Sequence, residues 1–121
     1  MLADPHPEVQ SALHLIAGRI AEITEVHEAL SLVQLLAECA GSCPDLVLLD
    51  PDLVRPAHSQ ALADAIKVLR RLCPASRVVV MSSRFEAEQA AVAAGADGFI
   101  SKTAPPDEFL AGLTRFLANR S

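Results

Sequence analysis

The chain has no Trp and no Tyr, and only four Phe among its 121 residues. A core here must be built from Leu, Val, Ile and Ala, and with 51% hydrophobic residues there is enough material for one. Positive charge is also scarce. Ten Lys and Arg stand against fifteen Asp and Glu, a net charge of −5, which argues against direct contact with nucleic acid, where clustered cations must meet phosphates. No apolar run approaches the length of a membrane span and no signal peptide opens the chain, so a cytoplasmic location without membrane contact is expected. Cysteine is limited to Cys39, Cys43 and Cys73. An odd number without zinc-type pairing reads as a reduced set with no metal role. Repeats, low-complexity tracts and linkers are missing too, which predicts one domain over residues 1–121 and no second domain in this chain.

What is present is a regular alternation. Leu46–Leu49 and Val78–Met81 are continuously apolar, as strands covered on both faces are. Ile20–Val26 alternates and reads as a less buried edge strand. Between the strands run helical patterns: Val9, Leu13 and Ile16; Leu62, Ile66, Leu69 and Cys73; Phe109, Leu113, Phe116 and Leu117. The stretch from His27 to Ala40 is Leu-rich almost all round and reads as a helix that Gly41 stops. Pro7 can open the first helix and Pro105-Pro106 the last, while Cys43-Pro44 and Cys73-Pro74 close helices ahead of strands. Ala94-Gly95-Ala96-Asp97-Gly98 turns the chain from the fourth helix into the fifth strand. The chain thus reads as βα five times over, and right-handed crossovers make that a parallel sheet with helices on both faces.

Three polar residues stand where apolar strands run out: Asp50, Ser82 and Lys102. In an open parallel sheet, ligands gather at the carboxyl ends of the strands. A carboxylate, a hydroxyl and an ammonium meeting there can handle a phosphoryl group: one carries the bond, one hydrogen-bonds an oxygen, one neutralises charge. The four histidines, His6, His14, His27 and His58, show no metal-ligand spacing, although His6 lies close enough to Asp4 to tune it. Lys67, Arg70 and Arg71 read as a solvated helix face.

With Leu2-Ala3-Asp4-Pro5-His6-Pro7, Pro44 to Asp50, and Ala94 to Lys102 in order, the chain resembles the receiver domain of two-component response regulators, the CheY-like fold. The likeness covers almost the whole chain. It implies a flavodoxin-like three-layer α/β sandwich with five parallel strands in the order 2-1-3-4-5. It implies Asp50 as phosphoacceptor, Ser82 as switch hydroxyl, Lys102 as phosphate-binding lysine, and Phe99 as the aromatic that rotates between states. Mg²⁺ is the implied cofactor, with Asp4, Asp50 and Asp52 as candidate ligands. The implied partner is a histidine kinase or phosphotransfer protein. The implied output face is the fourth helix, fifth strand and fifth helix, where Ala90, Ala91, Ala93 and Ala94 would permit pairing with a second copy. The pattern looks most like regulators that carry a helix-turn-helix DNA-binding domain.

Several positions depart from the family. Most receivers carry two acids in succession after the first strand; here Pro5 follows Asp4, which removes a usual Mg²⁺ ligand and leaves Asp52 to offer a carboxylate from another direction. The segment from Arg55 to Gln60 is longer than usual. Thr103 follows Lys102 in place of the common proline, so no cis peptide is expected there. Only three residues precede Asp4, so an interior first strand would have few ladder bonds, and either the strand is stunted or the true start lies upstream. Pro5 favours the competing reading, a pseudo-receiver that binds proteins without turning over phosphate. A small flavin- or nucleotide-binding protein would need a Gly-rich loop after the first strand, and Asp4-Pro5-His6-Pro7 is nothing like one.

Overall fold

The computed structural model describes residues 1–54 and 59–118. Its elements run β1 (Leu2–Ala3), α1 (Pro7–Ala17), β2 (Glu28–Ala29), α2 (Leu32–Gly41), β3 (Leu46–Leu49), a 3₁₀ turn (Pro51–Leu53), α3 (Ser59–Leu72), β4 (Arg77–Ser82), α4 (Ala87–Ala94), β5 (Gly98–Ser101) and α5 (Pro106–Ala118). All strand pairs are parallel and the order is β2-β1-β3-β4-β5, as expected.

Alternation along the strands divides the core into two layers. Ala3, Val47, Leu49, Val78 and Val80 point to one face and pack with Leu35 of α2, Leu62, Ile66 and Leu69 of α3, and Ala91 and Ala94 of α4. Leu2, Leu48, Val79, Met81 and Ile100 point to the other, against Leu13 of α1 and Phe109 and Leu113 of α5. Two of the four alanines expected on an outward α4 face, Ala91 and Ala94, are therefore core residues. Gly98 has a packing reason of its own: a Cβ there would lie 2.1 Å from the Phe116 ring, which closes over β5 at that position.

Four readings of the sequence need correction. Ile20–Val26 is not a strand; the chain there makes turns in which Ile20 N–H bonds Ala17 O and Ile23 N–H bonds Ile20 O. Its apolar residues Ile20, Ile23 and Val26 instead fill the α1–α5 layer. The helix read from His27 begins later, because Glu28–Ala29 is β2 and Ser31 is the N-cap, its hydroxyl accepting from Gln34 N–H at 3.1 Å. Arg70 is not simply solvated: its guanidinium donates to Gly95 O at 2.6 Å and pairs with Asp97 at 3.3 Å, bracing the end of α4. Finally, Cys43 and Cys73 form a disulfide with Cα atoms 5.5 Å apart, leaving Cys39 as the buried free thiol. Each of the two bonded residues precedes a proline at the entry to a strand, and β3 and β4 are neighbours, so equivalent loop positions fall side by side.

The short first strand is as expected. Leu2 and Ala3 pair with β2 on one side and β3 on the other. Gln10 of α1 supplements that ladder: its buried amide nitrogen donates to Leu2 O at 2.7 Å, with Asp4 O and Ala29 O both at 3.2 Å. Nothing in the sequence reading had singled out Gln10. Among the described residues no helix is long and apolar enough to cross a membrane.

Candidate functional site

Ladder bonds carry the site residues to one edge. Asp4 N–H donates to Ala29 O at 3.1 Å, Asp50 N–H to Ala3 O at 2.9 Å, and Lys102 N–H to Ser82 O at 3.0 Å. The ends of β1, β3, β4 and β5 are thereby held level, and four residues far apart in sequence share the carboxyl end of the sheet.

Lys102 joins the acids there. Its ammonium lies 2.5 Å from Asp4 Oδ2 and also hydrogen-bonds Asp50 Oδ2. Asp4 is 0% exposed and Asp50 3%, so these carboxylates depend on protein partners in place of water. Burial pushes the Asp4 carboxyl up, but the Lys102 ammonium and the bonds from His6 outweigh it and hold Asp4 below the ordinary range. Burial likewise disfavours the Lys102 ammonium, and the two carboxylates overcome this and raise its pKa. Lys102 therefore remains a cation, which phosphoryl chemistry requires.

The remaining acceptor positions are only partly filled. Asp50 Oδ1 accepts from Asp52 N–H at 2.7 Å, which caps the 3₁₀ turn at Pro51–Leu53. Asp4 Oδ1 accepts from His6 N–H at 2.9 Å and lies 2.8 Å from His6 Nδ1. Asp4 Oδ2 is buried and accepts no hydrogen bond of good geometry, although Lys102 neutralises it.

Other candidates sit less centrally. Ser82 is buried at the end of β4, with its hydroxyl accepting from Arg84 N–H at 3.0 Å. The Asp52 carboxylate turns to Arg84 at 3.6 Å. Among the described residues, the acids and histidine whose ligand atoms come within 4.8 Å of one another are Asp4, His6 and Asp50, without Asp52. Phe99 is half-buried against the α2–α4 core layer. The sequence reading set His6 apart from any metal set because it looked for spacing between histidines; the relevant neighbours are carboxylates on two strands. Of the other histidines, His14 pairs with Glu28 and His27 with Glu25, while His58 and most of the long 55–60 segment lie outside the described residues.

A family model described as the response regulator receiver domain matches residues 1–114. The chain belongs to the receiver domain family of two-component response regulators. The receiver is 32% identical over 123 residues to the transcriptional activator protein ExaE of Pseudomonas putida, covering 100% of this chain and 56% of that protein's length. The fold of a LuxR-family two-component response regulator from an Aurantimonas species superposes with a TM-score of 0.81 at 25% identity, covering 99% of this chain and 84% of the other. The receiver domain of NtrX from Brucella abortus gives 0.77 at 24% identity, over 98% and 97% of the two chains. Receivers are in general signalling modules, not enzymes, and they interact with histidine kinases or phosphotransfer proteins.

Receivers also bind Mg²⁺ at acidic residues. Here two buried carboxylates with an imidazole within 4.8 Å of them fit a divalent cation. Asp4 and Asp50 are the residues that would hold it.

Proposed function

We propose that this receiver accepts a phosphoryl group on Asp50 from a phosphohistidine of a partner kinase or phosphotransfer protein. The observation that carries the reading is the Lys102 ammonium bonded to Asp50 at the carboxyl end of the sheet. An anionic carboxylate approaching an anionic phosphoryl group needs its charge neutralised and its geometry fixed, with little other chemistry from the protein. In the transfer an Asp50 oxygen bonds to phosphorus as the phosphorus–nitrogen bond breaks, and the departing imidazole keeps its electron pair. Lys102 follows the developing charge, and Asp52 N–H fixes the orientation of the Asp50 carboxylate. A divalent cation, when bound, supplies further positive charge at the phosphoryl oxygens.

Ser82 is the residue that couples the acceptor to the rest of the fold. In this state its hydroxyl caps Arg84 N–H; turned to a phosphoryl oxygen, it would release the start of the β4–α4 loop. A contact made in only one state is what shifts a two-state equilibrium. The shift would reach α4, β5 and α5, including Phe99 on β5, and that face is where a target or a second copy would dock. Activation of transcription, the role in the name of the Pseudomonas putida relative, would need parts of a longer protein. Residues 1–121 act in this reading as one domain in the cytoplasm, without contacting DNA or membrane.

The test is incubation with acetyl phosphate and divalent cation, read by intact mass. The expected result is a gain of one phosphoryl group in the parent and none in Asp50→Asn. Pro5 favours the pseudo-receiver alternative, and an unchanged parent mass at high cation concentration would select it.

A further inference from the structure

We propose that His6 is a nitrogen ligand of this receiver's cation site, and that the site therefore prefers first-row transition ions such as Mn²⁺ over Mg²⁺. The inference rests on the receiver reading above and specifies its metal. One ring nitrogen of His6 and one oxygen each of Asp4 and Asp50 lie within 4.8 Å of one another, a spacing that a single ion can bridge. His6 Nδ1 is 2.8 Å from Asp4 Oδ1, the separation of neighbouring ligands on one ion.

Two further observations point the same way. Asp4 is 0% exposed, and apart from the Lys102 ammonium 2.5 Å away its buried Oδ2 has no partner of regular hydrogen-bond geometry. The His6 side chain is 42% exposed, so the imidazole stands at the mouth of the site, where an ion can enter. Pro5 has no carboxylate to offer, and Asp52 is turned toward Arg84. Two acids and an imidazole remain. Mg²⁺ favours oxygen ligands in near-ideal octahedral geometry, whereas imidazole suits Fe²⁺ and the later first-row ions, and Mn²⁺, which shares the carboxylate preference, begins that series. The backbone bond from His6 N–H to Asp4 Oδ1 fixes the residue's position through its main chain, so substituting the side chain leaves the loop in place.

The test is Mn²⁺ binding to the unphosphorylated protein, followed by electron paramagnetic resonance, with Mg²⁺ as competitor. The parent is expected to bind one Mn²⁺ with pulsed-resonance coupling to an imidazole nitrogen, and Mg²⁺ should displace it only in large excess. In His6→Ala the nitrogen coupling should vanish, and Mn²⁺ affinity should fall by about tenfold or more while Mg²⁺ affinity changes little. Pro5→Asp should raise Mg²⁺ affinity in the same assay. Bound Mn²⁺ without nitrogen coupling, undiminished Mn²⁺ preference in His6→Ala, or no saturable Mn²⁺ binding by the parent would each overturn the proposal. Neither readout uses phosphorylation, so loss of the Asp50 reading by mass would leave this result standing, and the reverse.

Discussion

At the carboxyl end of the sheet, one ammonium, Lys102, serves two buried carboxylates, Asp4 and Asp50. At the amino end, Cys43 is bonded to Cys73, Asp97 Oδ2 accepts from Val78 N–H at 2.7 Å and pairs with Arg70 at 3.3 Å, and Ser76 donates to Pro44 O. At the amino end each of these groups finds its partner within the fold. The carboxyl end carries an excess of negative charge, with one ammonium shared by two buried carboxylates. Cross-links and paired groups brace one end, and uncompensated charge gathers at the other, on the same five strands. The comparison can be broken by moving charge at one end and cross-links or volume at the other.

The largest loss of stability is expected from Lys102→Met, which leaves Asp4 and Asp50 buried without their cation. Breaking a buried ion pair by removing one partner costs about 4 kcal/mol, measurable as a lower urea midpoint in metal-free buffer. Added Mn²⁺ should restore part of it. A midpoint unchanged from the parent would mean that the two acids do not rely on Lys102.

Reducing the disulfide, or substituting Cys43→Ser, comes next. The bridge spans 30 residues, and the chain-entropy model gives roughly 3.6 kcal/mol for a closed loop of that size. Phosphoryl acceptance at the far end should persist at temperatures where the protein stays folded. If reduction abolished acceptance without unfolding, the two ends would not be separable.

Gly98→Ala drives a methyl into the Phe116 ring and should cost about 2 kcal/mol by overpacking. Phe116→Leu in the same chain should recover much of it, as a double-mutant cycle would reveal.

The smallest effect is on pH dependence in metal-free buffer. Asp4 is held below its ordinary value: burial raises it, and Lys102 with His6 more than offsets that. Its contribution is complete above the unfolded value of about 4 and is lost as pH falls through the lower folded value. Lys102 is raised, with burial opposing and the two carboxylates prevailing. Its contribution is complete below an unfolded value of about 10.4 and is lost as pH rises through the higher folded value. Denaturation midpoints should therefore show an alkaline limb that Lys102→Met removes. A limb that survives in the variant would assign it elsewhere.

Much of this was legible in the residues. Leu46–Leu49 and Val78–Met81 declared interior strands because both their faces are covered, and Asp50, Ser82 and Lys102 marked where those strands end. β2 was hidden because two residues, Glu28 and Ala29, make no periodic pattern, while Ile20–Val26 imitated one with residues that serve a helix layer. Ser31 was the available signal for the true start of α2. The disulfide had a faint signature in two Cys-Pro pairs ahead of adjacent strands, but pairing depends on the strand order and not on cysteine count. Gln10 was invisible as a brace because its partners, Leu2 O and Ala29 O, come from other elements, and the nearness of His6 to Asp50 follows from strand order, although its place beside Asp4 was plain.

The convergence of three strand ends on one shared anion is tested most directly by titrating the ¹⁵N-labelled protein with beryllofluoride, a phosphoryl mimic, in the presence of divalent cation. The account predicts saturable amide shifts together at Asp50, Asp52, Ser82, Arg84 and Lys102, with Cys43, Cys73 and Ser76 unmoved. Shifts confined to the loop after Asp50, or centred on the amino end of the sheet, would contradict it.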